Sequence, residues 1–162
     1  MDYYGGYLDA QRIVELWDDG GVEDWVCSEL EVFECQIGII QRPDITGNIL
    51  GVPTSDQSID LQRKVYAKLA QLTKLRELTS GFPTDTTLNM YERVCYRQYD
   101  CLAMTLESGL DLLKGLKELR VVELEDMEVY ISGEKEQSWF AEHWPLATIR
   151  VTDYTMDRDE DD

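Results

Sequence analysis

Positive charge is what this sequence has least of. Of 162 residues only 15 are Lys or Arg, against 33 Asp or Glu, and the formal net charge is −18. A nucleic-acid partner needs Lys and Arg to neutralise phosphates, and an anionic membrane surface makes the same demand. Neither is expected as a partner. The surplus of acid permits a basic partner, or serves only solubility. Long apolar runs are missing too. No stretch approaches the ~20 apolar residues needed to span a bilayer. Residues 1–20 carry Asp2, Asp9, Arg12, Glu15, Asp18 and Asp19 where a secretion signal would be apolar. These absences predict a cytoplasmic or nuclear protein, and there Cys27, Cys35, Cys95 and Cys101 are expected to be free thiols. Histidine occurs once, and the cysteine spacings fit no zinc pattern, so no metal and no cofactor is expected. Gly20-Gly21 and Gly47…Gly51 lack the lysine and the strand-to-helix setting of a phosphate loop. Carboxylates are so frequent that no pair stands out as catalytic. The lone His143, between Glu142 and Trp144, reads as packing or capping a helix end. No enzymatic activity is expected.

What the sequence does have is a recurring apolar spacing, L-x-x-Φ-x-Φ. It occurs at Leu30-x-x-Phe33-x-Cys35, Leu75-x-x-Leu78-x-Ser80, Cys101-x-x-Met104-x-Leu106, Leu119-x-x-Val122-x-Leu124 and Leu146-x-x-Ile149-x-Val151. The starts at 30, 75, 101, 119 and 146 give intervals of 45, 26, 18 and 27 residues. Leucine-rich repeats run about 20–29 residues. The longest interval then holds an inserted loop, and the shortest a cramped return segment. In a strand alternate side chains share a face, so Φ-x-Φ turns two apolar groups inward and leaves the intervening positions outward. One such unit cannot bury its apolar face alone, whereas stacked units can. The expected fold is therefore α/β, an irregular leucine-rich-repeat solenoid with mostly parallel strands on the concave face and helices behind. The alternative is an ordinary α/β domain whose strands happen to be leucine-rich.

In chain order, 1–6 is rich in Tyr and Gly and reads as loose. Asp9–Trp17 has Ile13, Leu16 and Trp17 on one helical side, the back half of a repeat whose strand is missing or frayed. Pro43–Ser58 reads as a long loop, with Ser58 placed to cap the helix that follows. That helix carries Ile59, Val65, Tyr66, Leu69 and Leu72 at amphipathic spacing. Residues 81–100 are a second excursion with a short helix near Leu88–Val94. Leu110, Leu113 and Leu116 form a helical segment ending near Gly115, and Glu134–Trp144 forms a helix stopped by Pro145. The division expected is an N-terminal partial repeat over 1–24, a repeat domain over 25–154 and an acidic disordered tail over 155–162.

Four stretches carry a resemblance: WVCSELEVFECQIGIIQRPDI (25–45), IDLQRKVYAKLAQLTKLRELTSGFP (59–83), YDCLAMTLESGLDLLKGLKELRVVELEDMEVYI (99–131) and EKEQSWFAEHWPLATI (134–149). Together they resemble the C-terminal leucine-rich repeats of fungal F-box-like proteins. The segments TLESGLDLL…LKELRVVELEDM and EHWP are the most specific. In that family an N-terminal F-box binds the ubiquitin-ligase core and the repeats select substrates. The resemblance implies a substrate-recognition role, although no F-box is visible in these residues.

The outward strand positions are the candidate partner-binding set: Glu34, Glu77, Thr79, Thr105, Glu107, Glu123, Glu125 and Arg150. Five of these eight are Glu and one is basic, so a basic protein segment is the candidate partner, with an ordinary solvated strand face as the plain alternative. The expected function is a monomeric protein-interaction module. The second reading is a stand-alone scaffold repeat, or a truncated fragment, without a ubiquitin role.

Overall fold

The computed structural model describes residues 6–18, 29–38, 40, 56–81, 102–125 and 134–152. Its elements are β1 (Gly6–Asp9), α1 (Ala10–Asp18), β2 (Val32–Gly38), α2 (Asp56–Leu69), β3 (Glu77–Gly81), a 3-10 helix (Leu110–Gly115), β4 (Val121–Glu125), α3 (Glu134–His143) and β5 (Thr148–Thr152). The five strands form one sheet in the order β1-β2-β3-β4-β5, every pair parallel. Chain order and sheet order coincide, so each crossover advances by one strand. Crossovers of one hand place the returning helices on one face of such a sheet.

Register follows the apolar spacing. Phe33 pairs with Leu78, Leu78 with Val122 and Val122 with Ile149. Two residues on, Cys35, Ser80, Leu124 and Val151 form a second row. Phe33, Cys35, Ile37, Leu78, Val122 and Leu124 are buried and share one core with Val65, Tyr66 and Leu69 of α2, Leu110 and Leu113 of the 3-10 helix and Trp139 and Phe140 of α3. The preceding slot is filled by Leu75 and Leu119, both essentially inaccessible, while Leu146 is 67% exposed. Leu146 leads into β5, the edge strand, and does not act as the inward residue that the spacing predicts.

Local chemistry sets the boundaries. Asp9 ends β1 and caps α1: its carboxylate accepts the Gln11 N–H at 2.8 Å and the Arg12 N–H at 3.3 Å. The strand expected to be missing or frayed before α1 is present as the four-residue β1. It lies against β2, with Gly6 opposite Cys35, and Ala10, Ile13 and Val14 of α1 join the common core. Helix α2 starts at Asp56, so Ser58 does not cap it. Ser58 is buried within the first turn, and its hydroxyl accepts the Gln62 side-chain N–H at 3.3 Å. Helix α3 buries Glu136, Trp139 and Phe140 at helical spacing. Trp144, just beyond α3, is buried and donates its indole N–H to the Leu113 carbonyl at 3.4 Å. The His143 ring lies flat on Trp139, centroids 4.6 Å apart, with Nδ1 3.1 Å from the Trp139 carbonyl oxygen. Packing at the helix end is the role this places on it.

The strand predicted over Cys101–Leu106 is not in the sheet. β4 pairs directly with β3, and residues 102–109 form an irregular stretch and a turn. That stretch is held by α2. Gln62 Oε1 accepts the Ala103 N–H at 2.8 Å, and the Tyr66 hydroxyl donates to the Ala103 carbonyl at 2.7 Å. Inside the turn, the Ser108 hydroxyl lies 3.1 Å from both the Thr105 N–H and the Thr105 hydroxyl. Of the loop expected at 81–100, Gly81 belongs to β3 and 82–100, with the short helix, lie outside the described residues; of the loop expected at 43–58, residues 56–58 belong to α2 and 43–55 lie outside them, as do the acidic segment 155–162, Cys27, Cys95 and Cys101.

Candidate functional site

An alternating strand with one face on the core must present the other face outward. Here that face carries the intervening residues of β2 to β5. One row runs Glu34–Thr79–Glu123–Arg150 and the row before it Val32–Glu77–Val121–Thr148. Val32, Glu34, Glu77, Thr148 and Arg150 are exposed, and Thr79, Val121 and Glu123 are half-buried. Glu125 continues the register one row further, between Gly81 and Thr152.

Neighbouring strands lie about 4.8 Å apart and alternate residues about 6.7 Å apart. Glu34, Glu77 and Glu123 therefore stand roughly 8–10 Å from one another around Thr79. Arg150 donates to Glu123 Oε1 at 2.7 Å. Glu34 and Glu77 have no ion-pair partner among the described residues. Val32, 50% exposed, and Val121 flank Glu77 in the same row, so the unpaired acids sit beside apolar surface. Among the side chains described on this face, Glu123 is paired toward the β5 edge, whereas Glu34 and Glu77, over β2 and β3, are not.

Six of the eight predicted residues, Glu34, Glu77, Thr79, Glu123, Glu125 and Arg150, fall on four adjacent strands in one register. Thr105 and Glu107 do not. Thr105 is buried in the turn beneath α2, and Glu107 is exposed on the helix side of the molecule, where its carbonyl faces Arg63 Nη1 at 3.4 Å. Met104-x-Leu106 imitates a strand, which is why the apolar spacing puts these two residues on the sheet. The 18-residue interval that follows is the signal against it. Without that unit the starts at 30, 75, 119 and 146 stand 45, 44 and 27 residues apart.

The spacing of apolar residues gives no warning of a second surface, at the strand starts. Arg76 and Arg120 are neighbours there: the Arg120 N–H donates to the Arg76 carbonyl at 2.8 Å, and the Arg76 N–H to the Glu31 carbonyl at 2.7 Å. Lys74 and Lys117 lie on the turns that lead into these positions. The signal is in plain view as Leu72-Thr73-Lys74-Leu75-Arg76 and Leu116-Lys117-Glu118-Leu119-Arg120, the same frame twice.

Cys35 is buried on the core face, and burial pushes its thiol up to about 11. Among the described residues no three His, Cys, Asp or Glu side chains gather as a metal site requires, and no helix is long and apolar enough to cross a membrane. No protein-family model, no curated protein and no solved structure matches the chain.

Proposed function

We propose that this chain is a protein-interaction module, without catalysis, that takes a basic segment on the open face of its parallel sheet. The observation that carries this is the distribution of ion pairs among the side chains described on that face. Glu34 and Glu77 are exposed and without ion-pair partners among the described residues, beside Val32 and Val121, while the face's one described cation, Arg150, is committed to Glu123. The in-register recurrence of the apolar slots, and strands that advance one by one, support reading the architecture as an irregular leucine-rich-repeat solenoid. On that reading, and on the resemblance to the repeats of F-box-like proteins, the module selects substrates for a ubiquitin ligase. A stand-alone scaffold role is the second reading; it is favoured if ligase-core subunits fail to co-purify with the chain.

The test uses a labelled peptide alternating Lys and Val, followed by fluorescence anisotropy. Exposed charge pairs contribute up to about 1 kcal/mol each, and 1.4 kcal/mol is tenfold in affinity. Glu34→Lys combined with Glu77→Lys should weaken binding by roughly tenfold or more, and wild-type binding should decline as salt screens the attraction. Equal binding by wild type and the double variant would remove the sheet face as the site.

A further inference from the structure

The starts of β3 and β4 are locally cationic in a chain of net charge −18. Four cations, Lys74, Arg76, Lys117 and Arg120, gather on two consecutive turn-to-strand junctions, with Glu31 and Glu118 the carboxylates in contact with them. Both carboxylates are already engaged. Glu118 takes Lys74 at 3.2 Å and Arg76 at 3.8 Å, and Glu31 takes Arg76 at 3.5 Å. Arg120 has no carboxylate partner among the described residues. Its guanidinium donates to the carbonyls of Leu119 at 2.8 Å and Lys117 at 3.4 Å. Like charges on adjacent strands repel, so two arginines in neighbouring register, with one of them lacking a carboxylate, leave the rim short of negative charge.

We propose that this rim is occupied by the chain's own acidic segment Asp157–Asp162. The segment reads Asp-Arg-Asp-Glu-Asp-Asp, five acids to one base, and it follows β5, which lies beside β4 and begins where the Thr148 N–H donates to the Arg120 carbonyl at 2.8 Å. β5 has five residues, a rise of about 17 Å. Asp157 comes five residues after Thr152 and Asp162 ten, and an extended chain covers up to about 3.5 Å per residue. The segment therefore reaches from about 17 to about 35 Å, enough to return along β5 to Arg120 and on to Arg76. A tethered partner acts at an effective concentration in the millimolar range, so a modest charge attraction suffices.

The full chain is treated at low salt with a water-soluble carbodiimide, which joins a carboxylate to a lysine amine in direct contact. The links are then mapped by mass spectrometry. Carboxylates of 157–162 should couple to Lys74 and Lys117 at least fivefold more than to Lys64 or Lys135, and these links should fall at least fivefold in 0.5 M NaCl. The Asp60–Lys64 pair, at 2.9 Å, reports that coupling took place. Replacing both Arg76 and Arg120 by Gln should lower the rim links by a similar factor, while the salt series uses the unaltered chain and so does not depend on that variant folding. Links spread over all lysines by exposure would overturn the proposal. So would rim links that, in a mixture of light and 15N-labelled chains, join one molecule to another, because the occupant would then be a second copy.

Discussion

Replacing Gly109 by Ala adds one methyl group in the turn between the 102–106 segment and the 3-10 helix. Two costs arise there. Gly109 has φ +123°, a conformation that costs a residue with a Cβ on the order of 1–3 kcal/mol. The new Cβ would also stand 2.9 Å from Tyr66 Cδ2 and 3.2 Å from the Arg63 Cα. The Tyr66 ring cannot swing aside freely, because it is 1% exposed and its hydroxyl is bonded to Ala103. The Arg63 contact is backbone. Overpacking of this kind typically costs about 1–3 kcal/mol. The expected loss is therefore about 2–6 kcal/mol, a large share of the roughly 5–15 kcal/mol that holds a domain. At about 2–4 °C per kcal/mol for a chain of this size, Tm should fall by about 4–24 °C. Gly115→Ala is the control. A Cβ added at Gly115 would meet nothing within 4 Å, and the backbone there has no positive φ, so the same methyl should change stability by no more than about 0.5 kcal/mol. Urea titration, read by tryptophan fluorescence, measures both. A loss below about 1 kcal/mol for Gly109→Ala at unchanged m-value, or equal losses at the two sites, would show that the turn does not sit against α2.

Two further outcomes follow from the same packing and from the core cysteine. Gln62→Leu leaves the buried Ala103 N–H without its acceptor, at a cost of about 1–3 kcal/mol, whereas Tyr66→Phe leaves the Ala103 carbonyl still bonded to the Ser108 hydroxyl and should cost about 0.5–1.5 kcal/mol. Equal losses in parallel denaturation curves would contradict this ordering. The Cys35 thiol, held up to about 11 by burial, should resist iodoacetamide at pH 8 in the native chain and react on addition of urea, as peptide mapping would show. Because the folded state keeps this proton longer than the unfolded state does, stability should decline as pH rises from about 9 toward 11. Rapid native labelling of Cys35 at pH 8 would argue against a buried thiol.

Much of the sheet is legible in the sequence. Leu30, Leu75, Leu119 and Leu146, with the Φ-x-Φ that follows each, mark four strands whose residues pair slot for slot, because a sheet with one buried face admits a single parity of register. The amphipathic run from Ile59 to Leu69 is legible for the same reason, as a period that only a helix satisfies, whereas Leu72, expected in that helix, is buried just beyond its end. Those patterns determined which residues face the core and, by subtraction, that Glu34, Glu77, Thr79, Glu123 and Arg150 share the open side.

Tertiary structure decided the remainder. Met104-x-Leu106 carries a strand's alternation, yet Gln62 and Tyr66 bond the Ala103 backbone from a helix some 40 residues earlier in sequence, and a local pattern cannot say which partner a backbone N–H will find. β1 is hidden from such a pattern because only four residues of it, Gly6–Asp9, pair with β2. The pairing of Arg150 with Glu123, and the meeting of Arg76 with Arg120, required strands to be laid side by side. Alternation along a strand is enforced by its own backbone geometry and can be read in one dimension. Which charges become neighbours is set by the order and register of strands far apart in the chain, and only the assembled sheet determines that.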